Sequence, residues 1–292
     1  VEFSREQDNR KGILLLLLAV ATFTSMDAVA KALLDTYPAS QIVWIRFFGQ
    51  LLAVTLILRT HLPKQVRTAF PLIHLLRSAT QFGATIFFFL SLTYIGLTEA
   101  TAIADISPML ITLGAALFLG ERLTAARIIG VVVSGIGAII VIRPGSEIFT
   151  PGAVFPLLCA FSYATSALLT RHIGPRGSPW AAMFYAALFG TLVAGAAMPI
   201  VWVPVEMADV PLFLAIGCLG TAAQLALIRA YSVAEAAAIA PYSYCSILFA
   251  SVYSLFFFGE VPDLITGIGI LVIVGSGLYV WLQEKPATGR AL

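Results

Sequence analysis

Apolar residues run along this chain in blocks of about 20, and each block is closed by proline, glycine or a cluster of charges. A helix that crosses a hydrocarbon core of roughly 30 Å needs about that length. The blocks predict ten membrane spans at 12–34, 40–60, 73–95, 98–119, 125–142, 153–173, 179–201, 211–232, 236–258 and 263–283. Their breakers are legible: Pro38, Pro63, Gly96, Gly120-Glu121, Pro144-Gly145, Pro175, Pro204 and Gly259-Glu260. The fifth block, at 125–142, is close to the minimum. The first follows Arg5, Arg10 and Lys11 and resembles a secretion signal, but from Gly12 to Leu34 it exceeds a signal core of roughly 7 to 15 residues. It reads as an uncleaved first span.

The blocks repeat. Shifted by 139 residues, Gly120-Glu121 at the end of the fourth span falls on Gly259-Glu260 at the end of the ninth, and Ile128, Gly130 and Gly137 fall on Gly267, Gly269 and Ser276. Arg46 falls on Tyr185; Tyr94 meets Tyr231 only with a two-residue gap. Five spans are an odd number of crossings, so a second copy of the unit must be inverted. The fold expected is an all-α membrane protein, ten transmembrane helices as two inverted five-helix repeats, residues 1–142 and 143–292.

Composition agrees with the blocks. Hydrophobic residues make up 60% of the 292 and charged residues 11%, against about 25% charged in ordinary soluble domains. So much apolar surface must face hydrocarbon. Fourteen of the 17 Lys and Arg residues fall on the side of the amino terminus; Lys31 and Arg143 fall on the other, and Arg46 lies within the second span. By the positive-inside bias both termini are cytoplasmic. The first copy carries Arg122 after its Gly-Glu and the second Val261, as the same bias predicts for an inverted repeat. Cys159, Cys218 and Cys245 lie in apolar runs without a second cysteine or histidine at ligand spacing, so neither disulfides nor a metal site are expected. His61, His74 and His172 stand at the ends of apolar runs as solvated interfacial residues.

Charges inside spans normally face a cavity or a partner, because each costs about 2.5 to 3.5 kcal/mol at the membrane centre. Asp27, Lys31, Arg46, Glu99 and Asp105 all fall in the half of the membrane away from the termini. Asp27 and Lys31 are one helical turn apart and can pair. Two readings stand for this set: a static staple between helices, or a gate that forms when the outer vestibule closes. Three other acids read as architectural. Ser232 to Glu235 fits a capping box opening the ninth helix, and Glu121 and Glu260 follow glycines suited to left-handed helix ends.

At the midplane the polar groups are neutral: Thr24 and Ser25, Gln81, Thr85, Ser107, Ser162, Tyr163, Gln224, Tyr244 and Ser246. Carriers built from inverted repeats bind their cargo at this depth. Small Ser and Thr also serve helix packing, whereas Gln81 and Gln224 are too large for that role. Pro108 and Pro241 can open their helices, and tyrosines beside Pro241, including Tyr242, can line an amphipathic pocket suited to neutral or zwitterionic solutes.

Ser107-Pro108 followed by Leu119-Gly120-Glu121-Arg122-Leu123, and Ala240-Pro241-Tyr242-Ser243-Tyr244 followed by Phe258-Gly259-Glu260, resemble the drug/metabolite transporter superfamily, specifically its ten-helix EamA type. Lys31 with Arg46 is similar to the lysine and arginine of that family's first two helices. The resemblance spans nearly the whole chain and implies an alternating-access carrier whose cavity is lined by the first, third, fourth, sixth, eighth and ninth helices. Members of the family export amino acids and metabolites, and others import metabolites such as S-adenosylmethionine; a weaker similarity is to the aromatic amino-acid exporters, and the expected location is a bacterial inner membrane. Pro108 stands opposite Ile247 and Pro241 opposite Ala102 at the 139-residue offset, so the two halves of the site differ. The leading expectation is an exporter of amino acids or similar small amphipathic metabolites, with an importer of the same fold as the alternative. No nucleophile–base pair or phosphate loop supports an intramembrane enzyme, and no ring of pore charges a channel. The expected partners are a small-molecule solute and the lipid bilayer, with no nucleic acid and no cofactor.

Overall fold

The structure, a computed structural model, describes residues 2–120, 124–144, 151–173, 178–234 and 240–284. Glu121, Arg122, Arg176, Glu235, Lys285 and Arg290 of the sequence reading lie outside the described residues, as do the side chains of Arg5 and Pro241. Among the described residues, nine helices are long and apolar enough to cross a membrane. Span 1 is Glu2–Leu34, span 2 Ala39–Leu58, span 3 Pro71–Leu92, and span 4 Leu97–Ala104 continuing as Ser107–Leu119. Span 5 is Ala125–Ile142, span 6 Val154–Ile173, span 7 Pro179–Val201, span 8 Val210–Val233 and span 10 Leu264–Glu284. Span 9, the shorter apolar helix Tyr242–Phe258, completes the ten.

Two spans are broken, and prolines explain both. Pro108 has no amide hydrogen to offer the carbonyl of Ala104, and the chain tightens there, with the Ile106 amide donating to Ile103 O at 3.2 Å and the Met109 amide to Ile106 O at 2.9 Å. Span 9 opens with a 3-10 turn, Ala240–Tyr244, and its regular α-helix begins only at Cys245. The block 236–258 was expected as one helix; Pro241 near its start is the physical reason it is not. At the far ends of these two spans Gly120 (φ 72°) and Gly259 (φ 64°) take the left-handed conformation that terminates a helix, as their positions in the repeat predict.

Packing between helices carries the inversion. Span 1 packs on span 8 and span 3 on span 6; span 2 packs on span 8 and span 7 on span 3; span 4 packs on span 6 and span 9 on span 1. Each pair becomes the other when the halves are exchanged. Spans 2 and 7, 4 and 9, and 5 and 10 pair with their own equivalents, across the pseudo-twofold axis. Side chains repeat the relation at the 139-residue offset. A Cβ on Gly130 would meet Val280 at 2.2 Å, and one on Gly269 would meet Val141 at 2.6 Å, so the same glycine–valine contact is made twice. Outside this interface, Ile129, Val132, Ile136 and Ile139 of span 5 are exposed at helical spacing, the stripe a lipid-facing helix requires.

Spans 5 and 10 are also joined at one end. Arg143 ends span 5 in the left-handed region (φ 50°, ψ 58°), which costs a non-glycine residue about 1–2 kcal/mol. That conformation brings its guanidinium to the Asp263 carboxylate and, at 3.1 Å, to the Thr266 hydroxyl. Asp263 also caps span 10, accepting the Thr266 amide at 2.9 Å. The Arg143 bond and the Thr266 bonds hold its carboxyl well below the usual carboxylate range.

Two expectations follow from this packing. Gly49 of span 2 and Gly217 of span 8 touch backbone to backbone, and a Cβ at Gly49 would lie 2.8 Å from Gly217 Cα. Gly49→Val should destabilise the detergent-purified protein by about 1–3 kcal/mol, read as a lower midpoint of thermal unfolding. Gly267→Ala, where nothing lies within 4 Å, should leave the midpoint unchanged. Because the folded carboxyl of Asp263 is depressed, its stabilisation is fully present above about pH 4, the unfolded value, and is lost as pH falls through the folded one. Asp263→Asn should therefore lower the unfolding midpoint at pH 7, and the gap to the wild type should shrink as the medium is acidified below pH 4.

Candidate functional site

Exposure around each helix locates a vestibule between the spans. At about 100° per residue, the exposed positions 154, 158, 161 and 165 of span 6 form one lipid-facing stripe. Tyr163 lies on the opposite face with Cys159, Ser166 and Thr170, yet it is 40% exposed. Span 8 repeats the pattern: positions 211, 214, 218, 222 and 229 face lipid, while Tyr231, 47% exposed, lies opposite on the face of Gln224 and Gly220. Tyr163 and Tyr231 interact electrostatically, and so do Tyr163 and Arg77 of span 3. Exposed tyrosines pointing away from lipid and toward each other mark a vestibule between spans 3, 6 and 8. It opens on the side where span 1 begins, because Gly12 abuts Ala230 and Ala234 at the end of span 8.

Around and beyond this vestibule, polar groups from six spans converge. Arg46 of span 2 is buried and donates to the Thr85 hydroxyl of span 3; its guanidinium also stands 5.3 Å from the Phe47 ring and 5.9 Å from that of Phe89. Among the described residues its Nε has no hydrogen-bond partner. Asp27 of span 1 is within electrostatic reach of this guanidinium, and Cys159 of span 6 is within reach of Asp27, Asp105 and Arg46 together. Gln81 accepts the Ser166 hydroxyl at 3.2 Å, joining spans 3 and 6. Ser162 lies beside Gly83, whose absent Cβ would come 3.3 Å from its hydroxyl. Asp105 sits at the break of span 4, with φ −71° and ψ 6°, and accepts the Ser246 hydroxyl from the first turn of span 9. The two broken spans therefore meet at the middle of the cluster.

The side where span 1 ends is closed. Lys31 Nζ donates to both Glu260 oxygens at 2.6 and 2.7 Å and stands 5.0 Å from the Phe258 ring. Glu99 borders the pair, its Oε2 and the Glu260 Oε2 both lying against Gly96. The pairing of Lys31 with Asp27 that the helical spacing allows is not formed; Lys31 reaches the opposite half instead. Tyr37 donates to Asp209 at 2.7 Å and accepts the Glu206 amide, and the Gln41 side chain exchanges two hydrogen bonds with the backbone of Val203. Between these ties and the central cluster the interior is a buried apolar plug that includes Leu33, Val43, Phe89, Leu97 and Ala100.

The remaining sequence candidates separate. Ser25 of span 1 bonds to Tyr253 of span 9 at 2.7 Å. Thr24 is buried and returns its hydroxyl to Val20 O within its own helix. Ser107 is buried, Gln224 is half-buried on the vestibule face and Tyr242 is exposed. Tyr244 points to span 10, where the missing Cβ of Gly277 leaves room for its hydroxyl, within a cluster of Ile103, Val141 and Ile273. Sequence reasoning passed over Glu260 as a helix-end acid and did not single out Tyr231 or Asp263. The signal for Glu260 was available: Lys31 lies at a matching depth and needed a counter-charge.

The comparisons with known proteins agree with this geometry. The family model of the EamA-like transporter family matches residues 10–143 and again 150–282. A pseudopaline exporter of Pseudomonas aeruginosa is 32% identical over 94% of this chain and 98% of that protein. An S-adenosylmethionine uptake transporter of Rickettsia felis is 25% identical over 96% and 95%, and a riboflavin transporter of Rhizobium johnstonii 29% identical over 94% of each chain. With two matched copies, ten spans and a polar centre between inverted halves, this chain is a membrane transporter and belongs to the EamA-like transporter family.

Proposed function

We propose that the protein exports amino acids or similar small amphipathic metabolites across a bacterial inner membrane by alternating access, with both termini in the cytoplasm and the halves 1–142 and 143–292 moving against each other. The observation that carries this reading is the inward-facing exposure of Tyr163 and Tyr231 on one side of the central cluster, opposite the Lys31–Glu260 seal. A cargo entering from the termini side meets Tyr231 first, then Gln81, Gln224, Tyr163 and Ser162 at similar depth, and then the charged centre. Tyrosines supply apolar area with a polar tip, which suits a solute with an apolar body. Thr24, Thr85, Ser107, Tyr242, Tyr244 and Ser246 complete the proposed binding region, and Asp27, Lys31, Arg46, Glu99 and Asp105 its charged network.

Export is favoured by the fourteen Lys and Arg residues on the termini side, which make the open vestibule cytoplasmic, and by the pseudopaline exporter among the relatives. Import is the second reading, favoured by the S-adenosylmethionine uptake transporter among them. Nothing in the arrangement calls for catalysis: the cycle needs binding, a rocking step and release.

Purified protein in proteoliposomes should show saturable counterflow with at least some members of an amino-acid panel. Gln224→Leu should raise the half-saturating concentration about tenfold, the loss of one buried hydrogen bond of about 1–1.5 kcal/mol. Flux that never saturates, or no flux with any member, would contradict the proposed cargo class.

A further inference from the structure

Charge accounting at the centre singles out one residue. Arg46 and Asp27 face each other with opposite charge, and Arg46 is further held by Thr85 and two aromatic rings. Asp105 has no such partner. Its Oδ2 takes the Ser246 hydroxyl, and among the described residues nothing bonds Oδ1. Among the described residues the groups that face it are neutral or acidic: Tyr244 from span 9, Cys159 and Tyr163 from span 6, and Asp27 of span 1 beyond Cys159. The titratable side chains of the other spans packed here stand near helix ends: on span 3 His74, which is buried against Tyr185 rather than solvated as expected, and Arg77, and on span 5 Arg127 and Arg143. Asp105 is half-buried and lies within electrostatic reach of Tyr163, which lines the vestibule.

A carboxylate at membrane depth without a countercharge is strongly unfavourable unless a cation joins it. Two cations can come up the vestibule: a proton or the positive group of a cargo. We propose that Asp105 binds the ammonium group of an amine-bearing cargo and, when the cargo is absent, a proton, so that one displaces the other. The inference rests on the carrier reading of the same cavity and adds its cargo chemistry and its coupling. When the cargo binds, the O–H bond of the carboxyl breaks, the proton leaves to the water of the vestibule, and the ammonium takes its place. Asp105 is neutralised in both loaded states and bare in neither, which favours rocking only when one or other cation is aboard. A proton taken up on one side and released by cargo on the other makes the carrier an exchanger of amine for proton. Tyr163 and Tyr231 at the entrance suit an aromatic or other apolar body behind that ammonium.

The test uses three probes that share one apolar body: phenethylamine, L-phenylalanine and 3-phenylpropionate, added to the full-length protein in weakly buffered detergent while proton release and binding are followed. The wild type should bind phenethylamine and L-phenylalanine with release of about one proton each, and affinity should fall about tenfold per pH unit once the medium is acidic enough to protonate Asp105. Asp105→Asn should bind the two amines at least tenfold more weakly and release no proton. Asp105→Glu, which keeps the carboxyl, should retain proton release, and it carries the test if the Asn variant fails to elute as a folded protein. Proton release that persists in Asp105→Asn, its absence in a folded Asp105→Glu, or equally tight wild-type binding of 3-phenylpropionate would overturn the assignment while leaving the carrier reading intact. Failure of the wild type to bind any of the three would overturn the proposed cargo class together with the assignment.

Discussion

Hydrocarbon cannot solvate a polar group, and this constraint organises the whole molecule. Each span satisfies its own backbone and can also take up a Ser or Thr hydroxyl, but charged and larger polar side chains have only two places to go: the ends of the helices or the space enclosed between them. Lys31, Glu260, Arg143 and Asp263 take the first. Arg46, Thr85, Gln81, Ser166, Asp105 and Ser246 take the second, and the Arg46–Thr85, Ser166–Gln81 and Ser246–Asp105 side-chain bonds each join two different spans. The polar centre thus selects which helices meet. Small residues then set how closely they meet, as at Gly49 with Gly217 and in the duplicated Gly130–Val280 and Gly269–Val141 contacts.

The inverted repeat places the two broken helices, spans 4 and 9, against each other at this centre. A proline near each break prevents a continuous ladder of backbone bonds and leaves room for side chains to meet. Symmetry stops at the chemistry. At the 139-residue offset Asp105 corresponds to Tyr244, and Ser107 to Ser246. The duplicated scaffold therefore holds a carboxylate from one half only, and its partner hydroxyl comes from the other half. Tyr244 is not a second copy of that role: it turns into the seam beside Gly277. Asp105 and Asp27 both come from the first half, so the acidic groups of the centre are shared unequally between the halves.

Much of the fold was legible in the sequence because its determinants are local. Span length, breaker residues and the recurrence of Gly120 and Gly259 need no knowledge of tertiary contacts, and hydropathy fixed nine of the ten helices within a few residues. The start of span 9 was less legible because Pro241 replaces regular helix there with a tight turn. The site was legible as a list of residues but not as a set of partners. Lys31 has Asp27 one turn away, and local spacing favours that pair; the observed partner, Glu260, is 229 residues distant and reached only when the halves fold together. Tyr231 was overlooked because, between Arg229 and Ser232 at a helix end, a tyrosine reads as an ordinary interfacial residue. Its role emerges from which face of span 8 is wet.

The two halves meet at Lys31 and Glu260 on the closed side, so any alternate state must separate them. Paired spin labels placed at Leu34 of span 1 and Val261 before span 10, with distances measured in proteoliposomes, test this most directly. A single short distance in the resting carrier, joined by a second, longer population when a transported solute is present on both sides or when Lys31 is replaced by Ala, is the predicted result. One distance that neither solute nor Lys31→Ala changes would contradict alternating access through this seal.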